Sequence, residues 1–263
     1  MDGPRNVARI TSVSDITAVP CIDLNADVGE ECGQDEALMR CITSANVACG
    51  VHAGGVATMR ETVILAREHG VAIGAHPSFP DRENFGRRDM LLPSAEIVDL
   101  VIHQIEELAR IASNEGICLQ HVKPHGALYN LAVRDPRVAD AIAQGVATVD
   151  ESLVVLGLPG SELLAAAQAA GLRTAGEAFA DRAYRADGTL VPRTEPGAVI
   201  HKSEEVLARI ISLAARPDVE TICVHGDTPG AAELVSKIRA VLEAAKFEVK
   251  NLASPRLRDE RTS

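Results

Sequence analysis

Short apolar runs rich in Val, Ile, Leu and Ala alternate along this chain with longer segments in which apolar residues recur at helical spacing. The alternation repeats about seven times. Strands are expected at 19–24, 44–48, 71–75, 117–122, 153–156, 173–178 and 221–224. Between them, Ile97, Leu100, Val101, Ile105, Leu108 and Ile111 fall on one stripe of a helix. Ala231, Leu234, Val235, Ile238, Val241, Leu242 and Ala245 make a second stripe, and Met59, Val63 and Ala66 a shorter third. Each stripe is wide enough to cover one face of a sheet. Ser94, after Pro93 and before Glu96, reads as a helix start, while His69-Gly70 and Glu115-Gly116 read as helix stops. Strands separated by helices imply parallel pairing through right-handed crossovers. Seven such units without a dividing linker predict an α/β fold: a single-domain (β/α) barrel-like structure of about seven parallel strands, with a doubly wound open sheet as the alternative. The expected layout is a flexible N-terminal extension over 1–18, a barrel-like catalytic domain over 19–252 and a loose C-terminal tail over 253–263. Two long aperiodic stretches, 76–92 and 181–196, read as functional loops.

Composition narrows the function. The chain of 263 residues carries a formal net charge of -11, so it offers no basic field to displace counterions from a nucleic acid or to hold an anionic membrane surface. Aromatic residues make up 2% and Trp is absent. Few platforms are therefore present for stacking bases or long sugar chains, which favours a small polar substrate. The six cysteines, Cys21, Cys32, Cys41, Cys49, Cys118 and Cys223, show neither a C-x-x-C pair nor zinc-finger spacing, and are expected to be buried reduced thiols. The N-terminal segment lacks a signal-peptide core and no apolar run approaches ~20 residues, which gives a cytoplasmic address as the expectation.

Polar residues gather where the predicted strands end, which is where parallel α/β folds bind ligands. The first strand supplies Asp23, Asn25 and Asp27, spaced by two and so on one face, with Glu30 beyond. The second runs into Asn46, Cys49 and His52, and the third into His76. His121, Lys123 and His125 repeat the two-residue spacing at the end of the fourth. The later strands reach Glu177, Asp181 and Arg182, then His225 and Asp227. Any one of these has a plain reading as a cap or loop hydrogen bonder. Their coincidence over six strands does not, because a strand face carrying two His and a Lys is poorly suited to an apolar core. No phosphate-binding glycine loop, dinucleotide fingerprint or serine nucleophile elbow is present. Pro124 rules out a helical His121-x-x-x-His125 metal pair, whereas a metal held by His and Asp from different strand ends stays open.

Several of these segments together resemble the LamB/YcsF family, the A component of 5-oxoprolinase. The segments are 23–30 (DLNADVGE), 43–54 (TSANVACGVHAG), 74–81 (GAHPSFPD), 85–88 (FGRR), 121–130 (HVKPHGALYN), 179–182 (FADR), 190–193 (LVPR), 196–200 (PGAVI) and 223–227 (CVHGD). The resemblance spans about residues 20–250. It implies a deacetylase-like barrel and an ATP-hydrolysing enzyme that, with subunits B and C, opens 5-oxoproline to L-glutamate. A five-membered lactam is a resonance-protected amide, so coupling to ATP would serve to activate its carbonyl. The remaining chemistry needs a base, donors for developing negative charge and a cation for the substrate carboxylate. Asp23, Asp27, His52, His76, Lys123 and His125 are the candidate catalytic residues. Asn25, Asn46, Arg88, Glu177, Arg182, His225 and Asp227 are the candidate substrate-binding residues. ATP is the expected cosubstrate, with a divalent cation as an open addition. The alternatives are a metal-dependent deacetylase of a small acetylated substrate and a non-catalytic scaffold protein within the complex. The sequence departs from the family pattern at Gly55, where an acidic residue is usual and for which a loop role is expected, and at Val56 and 31–33.

Overall fold

A computed structural model describes residues 19–226 and 230–252. Its strands are β1 (Cys21–Val28), β2 (Ser44–Ala48), β3 (Ala72–His76), β4 (Leu119–Val122), β5 (Val154–Gly157), β6 (Arg173–Phe179), β7 (Thr221–Val224) and the short β8 (Glu248–Val249). The helices are α1 (Asp35–Met39), α2 (Val56–His69), α3 (Ser94–Asn114), α4 (Gly126–Ala132), α5 (Pro136–Val149), α6 (Glu162–Ala169), α7 (Ser203–Ala214) and α8 (Ala231–Ala244). The parallel strands run β1 to β7 in sequence order, and β1 pairs with both β7 and β2, so seven strands close into a barrel. The open sheet is thereby excluded. β8 adds to the first residues of β1 through Cys21 and Ile22.

All seven expected strands are present, and β2 and β7 have the predicted bounds. β1 is displaced towards the C-terminus: 19–20 lie outside it and it continues to Val28. Pro20 explains the late start, having no N–H for a ladder. Gly70 and Gly116 close α2 and α3 with positive φ, as helix stops do. Two helices rather than one join β4 to β5. The break falls at Asp135-Pro136, where Asp135 accepts the Arg137 N–H at 3.0 Å and Pro136 opens α5. Residues 1–18, 227–229 and 253–263, which include the expected terminal segments and Asp227, lie outside the described residues.

The strands have two differently built faces. Outward-facing side chains such as Ile22, Leu24, Val47, Val122, Val155 and Ile222 join the helices in the main hydrophobic core. Helix α3 alone buries Ile97, Val101, Ile105, Leu108 and Ile111 there, at roughly 1.5–3 kcal/mol per fully buried side chain. The inward faces differ by sector. On β5 and β6, Val154, Leu156 and Ala175 form a small apolar cluster of their own, closed at one end by Leu252. On β1, β2, β4 and β7 the inward positions are Asp23, Asn25, Asp27, Ser44, Asn46, His121 and Thr221, all buried. The expectation of buried thiols holds only for Cys49 and Cys223. Cys32 and Cys118 are exposed, Cys21 and Cys41 are half-buried, and all six are free.

Candidate active site

The register of the barrel dictates how the inner polar residues meet. Asn25 lies level with Ser44 and Cys223, Asp27 with Asn46, and Asp23 and Glu177 with Thr221. Parallel partners point to the same side, so these groups face one another across the lumen. At the deeper end, Asp23 accepts from the hydroxyls of Thr43 (2.7 Å), Ser44 (2.6 Å) and Thr221 (2.5 Å). Burial pushes the Asp23 carboxyl above its ordinary range despite these donors. Asp23 thus anchors its neighbours from below.

One layer up, Asn25 donates to Thr221 (2.6 Å) and Glu177 (3.1 Å), while its carbonyl oxygen accepts from Asn46 (2.7 Å). Asn46 also donates to Asp27 (2.9 Å), and its own carbonyl oxygen faces His121 Nε2 at 2.8 Å. Gly74 makes room for that imidazole: a Cβ there would stand 2.2 Å from the ring. Burial and the nearby Lys123 charge hold His121 neutral, pushed down to about 3.

Lys123 is the hub. Its ammonium, 2% exposed, reaches Asp27 at 2.9 Å, Glu177 at 3.1 Å, Cys223 Sγ at 2.9 Å and Asn25 at 3.4 Å. Burial works against its charge, but Asp27, Cys223 and Glu177 outweigh burial and raise its pKa well above the ordinary value. The same pairing, with His76 adding to it, holds the Asp27 carboxyl well below its ordinary range although burial opposes it. Tyr129 donates to Glu177 from α4 at 3.1 Å.

At the mouth, three histidines and a glutamate converge. One ligand-type atom from each of Glu30, His52, His76 and His125 lies within 4.8 Å of the others, so this group could hold a metal ion. His76 Nδ1 donates to the Lys123 carbonyl (2.6 Å) and His125 Nε2 to that of Phe85 (2.8 Å). Their remaining nitrogens face each other at 2.9 Å. His52 stacks on His125 with planes 7° apart and centroids 3.9 Å apart. It meets Ser78 Oγ (2.9 Å) and Glu30 (3.3 Å). Burial first, then the neighbouring His76, pushes His52 down to about 3. Burial, followed by His52 and His76, likewise depresses His125.

Opposite them, His225 Nδ1 meets both Asp181 oxygens, at 2.9 and 3.1 Å, and its ring stacks on Phe179. His225 offsets the burial of Asp181 and keeps that carboxyl below its ordinary range. The carboxylate fixes the imidazole's orientation in the manner of an acid–base dyad. At Gly226, next in sequence, a Cβ would stand 2.3 Å from the Asp27 carbonyl oxygen, so only glycine lets β7 end this close to β1.

Of the candidates read from sequence, Asp23, Asn25, Asp27, Asn46, His52, His76, Lys123, His125, Glu177 and His225 all lie in this one cluster. Lys123 and His125 lie just past β4 rather than on it, with His125 preceding α4. Arg88 is not part of the cluster. Its side chain is exposed, 3.7 Å from Asp81 on the outer rim. Arg182 is buried, but its guanidinium is engaged by the carbonyls of Ala198 (3.2 Å) and Val191 (2.6 Å), where it ties down the 181–200 loop. Burial, with Arg193 nearby, lowers it to about 10. The charge of Arg87 is felt at His52 and that of Arg193 at Asp181, so arginines other than those expected bring positive charge to the mouth. Glu30 and Asp181, noted at the strand ends but assigned no role, complete the cluster with Tyr129 and Cys223, for which no site role was expected. Gly55 is the residue before α2 in extended backbone, with open space where a side chain would begin. An acid there would sit at the N-cap position of the helix.

A closed seven-stranded parallel barrel with a buried His, carboxylate and Lys cluster at its strand ends defines a deacetylase-like enzyme fold. The chain belongs to the LamB/YcsF family, which it matches over residues 22–256. It is similar to the lactam utilization protein of Thermus thermophilus, at 41% identity and a TM-score of 0.80 over 88% of this chain and 99% of that one. A putative cellobiose-phosphate cleavage protein of Enterococcus faecalis shares the fold at 12% identity and TM-score 0.55, over 89% of this chain and 98% of that one. So does the catalytic domain of a peptidoglycan N-acetylglucosamine deacetylase of Eubacterium rectale, at 15% identity and TM-score 0.51, over 91% and 92%. Among the described residues no helix is long and apolar enough to cross a membrane.

Proposed function

We propose that this protein is the A component of an ATP-dependent 5-oxoprolinase, which opens 5-oxoproline to L-glutamate together with subunits B and C. The observation that carries this reading is membership of the LamB/YcsF family together with 41% identity to a lactam utilization protein. The cluster suits the chemistry. Asp27, kept ionised by Lys123, is the base that accepts a proton from the attacking water. Lys123 balances the charge that builds as the carbonyl carbon becomes tetrahedral. His225, whose orientation the contact with Asp181 fixes, hands a proton to the departing ring nitrogen. Arg87 and Arg193 favour entry of an anionic substrate, and ATP supplies the activation that an unstrained amide lacks. The test is glutamate formation from 5-oxoproline with ATP, using this chain with and without B and C. Turnover is expected only in the assembly, and Asp27→Asn is expected to lower it by ~10²–10⁴-fold. Turnover by this chain alone would refute the need for partners, and its absence from the assembly would refute the substrate.

A second reading, a metal-dependent deacetylase, is favoured by the histidine–glutamate group at the mouth. It requires acetate release from a small N-acetylated substrate without ATP, and is tested by that release.

A further inference from the structure

A bulky residue rarely takes a left-handed backbone, yet Phe85 has φ 55° and is followed by Gly86 at φ 64°. Such conformations persist where the surroundings fix them, and these are fixed from several sides. Gly86 donates to the Asp81 carbonyl (2.8 Å), and its own carbonyl accepts from Ala127 in the first turn of α4 (2.9 Å). The Phe85 carbonyl accepts from His125 Nε2 at 2.8 Å. A Cβ on Gly86 would stand 3.0 Å from the His125 ring and 3.1 Å from the His52 Cβ, so the turn is pressed against both histidines. It sets the Phe85 ring beside the mouth, steeply inclined to the His52 and His125 rings and with its centroid 5.5 Å from each of theirs. The Arg87 guanidinium lies over that ring, 4.8 Å from its centroid.

Other cations near the mouth are differently placed. Arg82 donates to the Gly50 and Gly54 carbonyls (3.1 and 2.8 Å), Arg182 to those of Ala198 and Val191, and Arg88 lies beside Asp81. The Lys123 ammonium is enclosed by Asp27, Glu177 and Cys223. Arg87 is exposed, and its charge is felt at His52 on one wall of the mouth and at Arg182 behind the other. We propose that Arg87 is the residue that selects the substrate, its guanidinium taking a carboxylate while Phe85 acts as the positioning residue that holds it over the mouth. A guanidinium stacked by its face presents its N–H edge, which matches a carboxylate with two parallel hydrogen bonds. It has five donors in all, so the contacts Arg87 makes within the protein are compatible with that role. The substrate class is then a small carboxylic acid, with its charge at the outer end of the site and its reacting bond turned inward to Asp27. The assignment rests on the reading of the site as one for 5-oxoproline, for which 2-pyrrolidinone is the same lactam without the carboxylate.

The test compares calorimetric binding of 5-oxoproline and 2-pyrrolidinone to the full chain, alone and with subunits B and C, in ~1 M salt. The screening length is then about 3 Å, so attraction from a distance is removed and direct contact remains. The wild type is expected to bind 5-oxoproline roughly 10- to 100-fold more tightly than 2-pyrrolidinone, as a charged hydrogen-bonded pair would give. Arg87→Met is expected to erase that difference and Arg87→Lys to keep part of it. Arg87 is exposed, so both variants are expected to fold, which circular dichroism checks. Phe85→Leu is expected to raise KM for 5-oxoproline several-fold in the assembly with kcat held, and an unchanged KM would overturn the positioning role. Equal affinity for the two lactams in the wild type, a preference that survives Arg87→Met, or a larger loss at Arg88→Met or Arg193→Met would overturn the assignment of Arg87. If the preference and its loss at Arg87→Met both stand while the assembly forms no glutamate, the 5-oxoprolinase reading falls and Arg87 keeps its role.

Discussion

Replacing Lys123 with Met keeps the aliphatic stem and deletes the ammonium that lies 2.9 Å from Asp27 and 3.1 Å from Glu177. Both acids are buried, with Glu177 fully inaccessible. Neither can turn to water, so the variant encloses two carboxyl groups around an apolar side chain. Removing one partner of a buried ion pair typically costs ~3–5 kcal/mol, since the other charge is left uncompensated. At ~2–4 °C per kcal/mol for a chain of this size, Tm should fall by about 6–20 °C. The effect should be coupled rather than additive. In Lys123→Met/Glu177→Gln one of the stranded acids is gone, and the double variant should recover at least ~1 kcal/mol relative to the sum of the singles. Urea unfolding at neutral pH, followed by circular dichroism, measures all four corners of the cycle. A single-variant cost under ~1 kcal/mol, or additivity within ~0.5 kcal/mol, would refute the view that this lysine neutralises the lumen. That view also means that loss of turnover in a Lys123 variant cannot be taken as chemistry until folding has been checked.

Gly226→Ala places a methyl 2.3 Å from the Asp27 carbonyl oxygen and should cost ~1–3 kcal/mol, read as a lower thermal midpoint. Gly55→Asp supplies the missing cap of α2 and should raise stability by a few tenths of a kcal/mol with turnover unchanged; a loss of turnover would place residue 55 in the chemistry. Asp181→Asn removes the charge that holds His225 and should cost ~1–3 kcal/mol at pH 7. Because the folded Asp181 pKa lies below its unfolded value of about 3.9, the deficit should be complete above that pH. It should shrink as pH falls through the folded pKa, and a deficit that instead grew in acid would contradict the pairing.

The seven strands and the inward face of β1 could be read from sequence because a two-residue period survives folding unchanged. Asp23, Asn25 and Asp27 needed only that period, and they point where it says. Glu30 could not be read in the same way, since it lies past the turn at Gly29 and its partners are 22 and 95 residues distant in the chain. Asp181 meets His225 across 44 residues, a pairing set by the order of β6 and β7 rather than by any local signal. Arg87 and Arg88 show a finer limit. They are adjacent and chemically equal, and the short helical turn at Arg82–Asn84 decides which is held on Asp81 at the rim. Nothing in the composition of that turn distinguishes them.

The polar sector of the barrel lumen has a consequence for how this chain can vary. Asp23, Thr221, Asn25, Asn46, Asp27 and Lys123 share donors and acceptors one with the next, so no member can change its hydrogen-bonding type without leaving a neighbour unmatched. The apolar wall of Val154, Leu156 and Ala175 carries no such constraint and can exchange one aliphatic residue for another. Strands of a single barrel should therefore diverge at two rates. β5 and the first half of β6 are free to drift singly, while β1, β2 and the end of β4 can change only in concerted steps. Co-variation across homologous chains should accordingly concentrate in pairs such as 25 with 46 and 27 with 123, and be faint along β5.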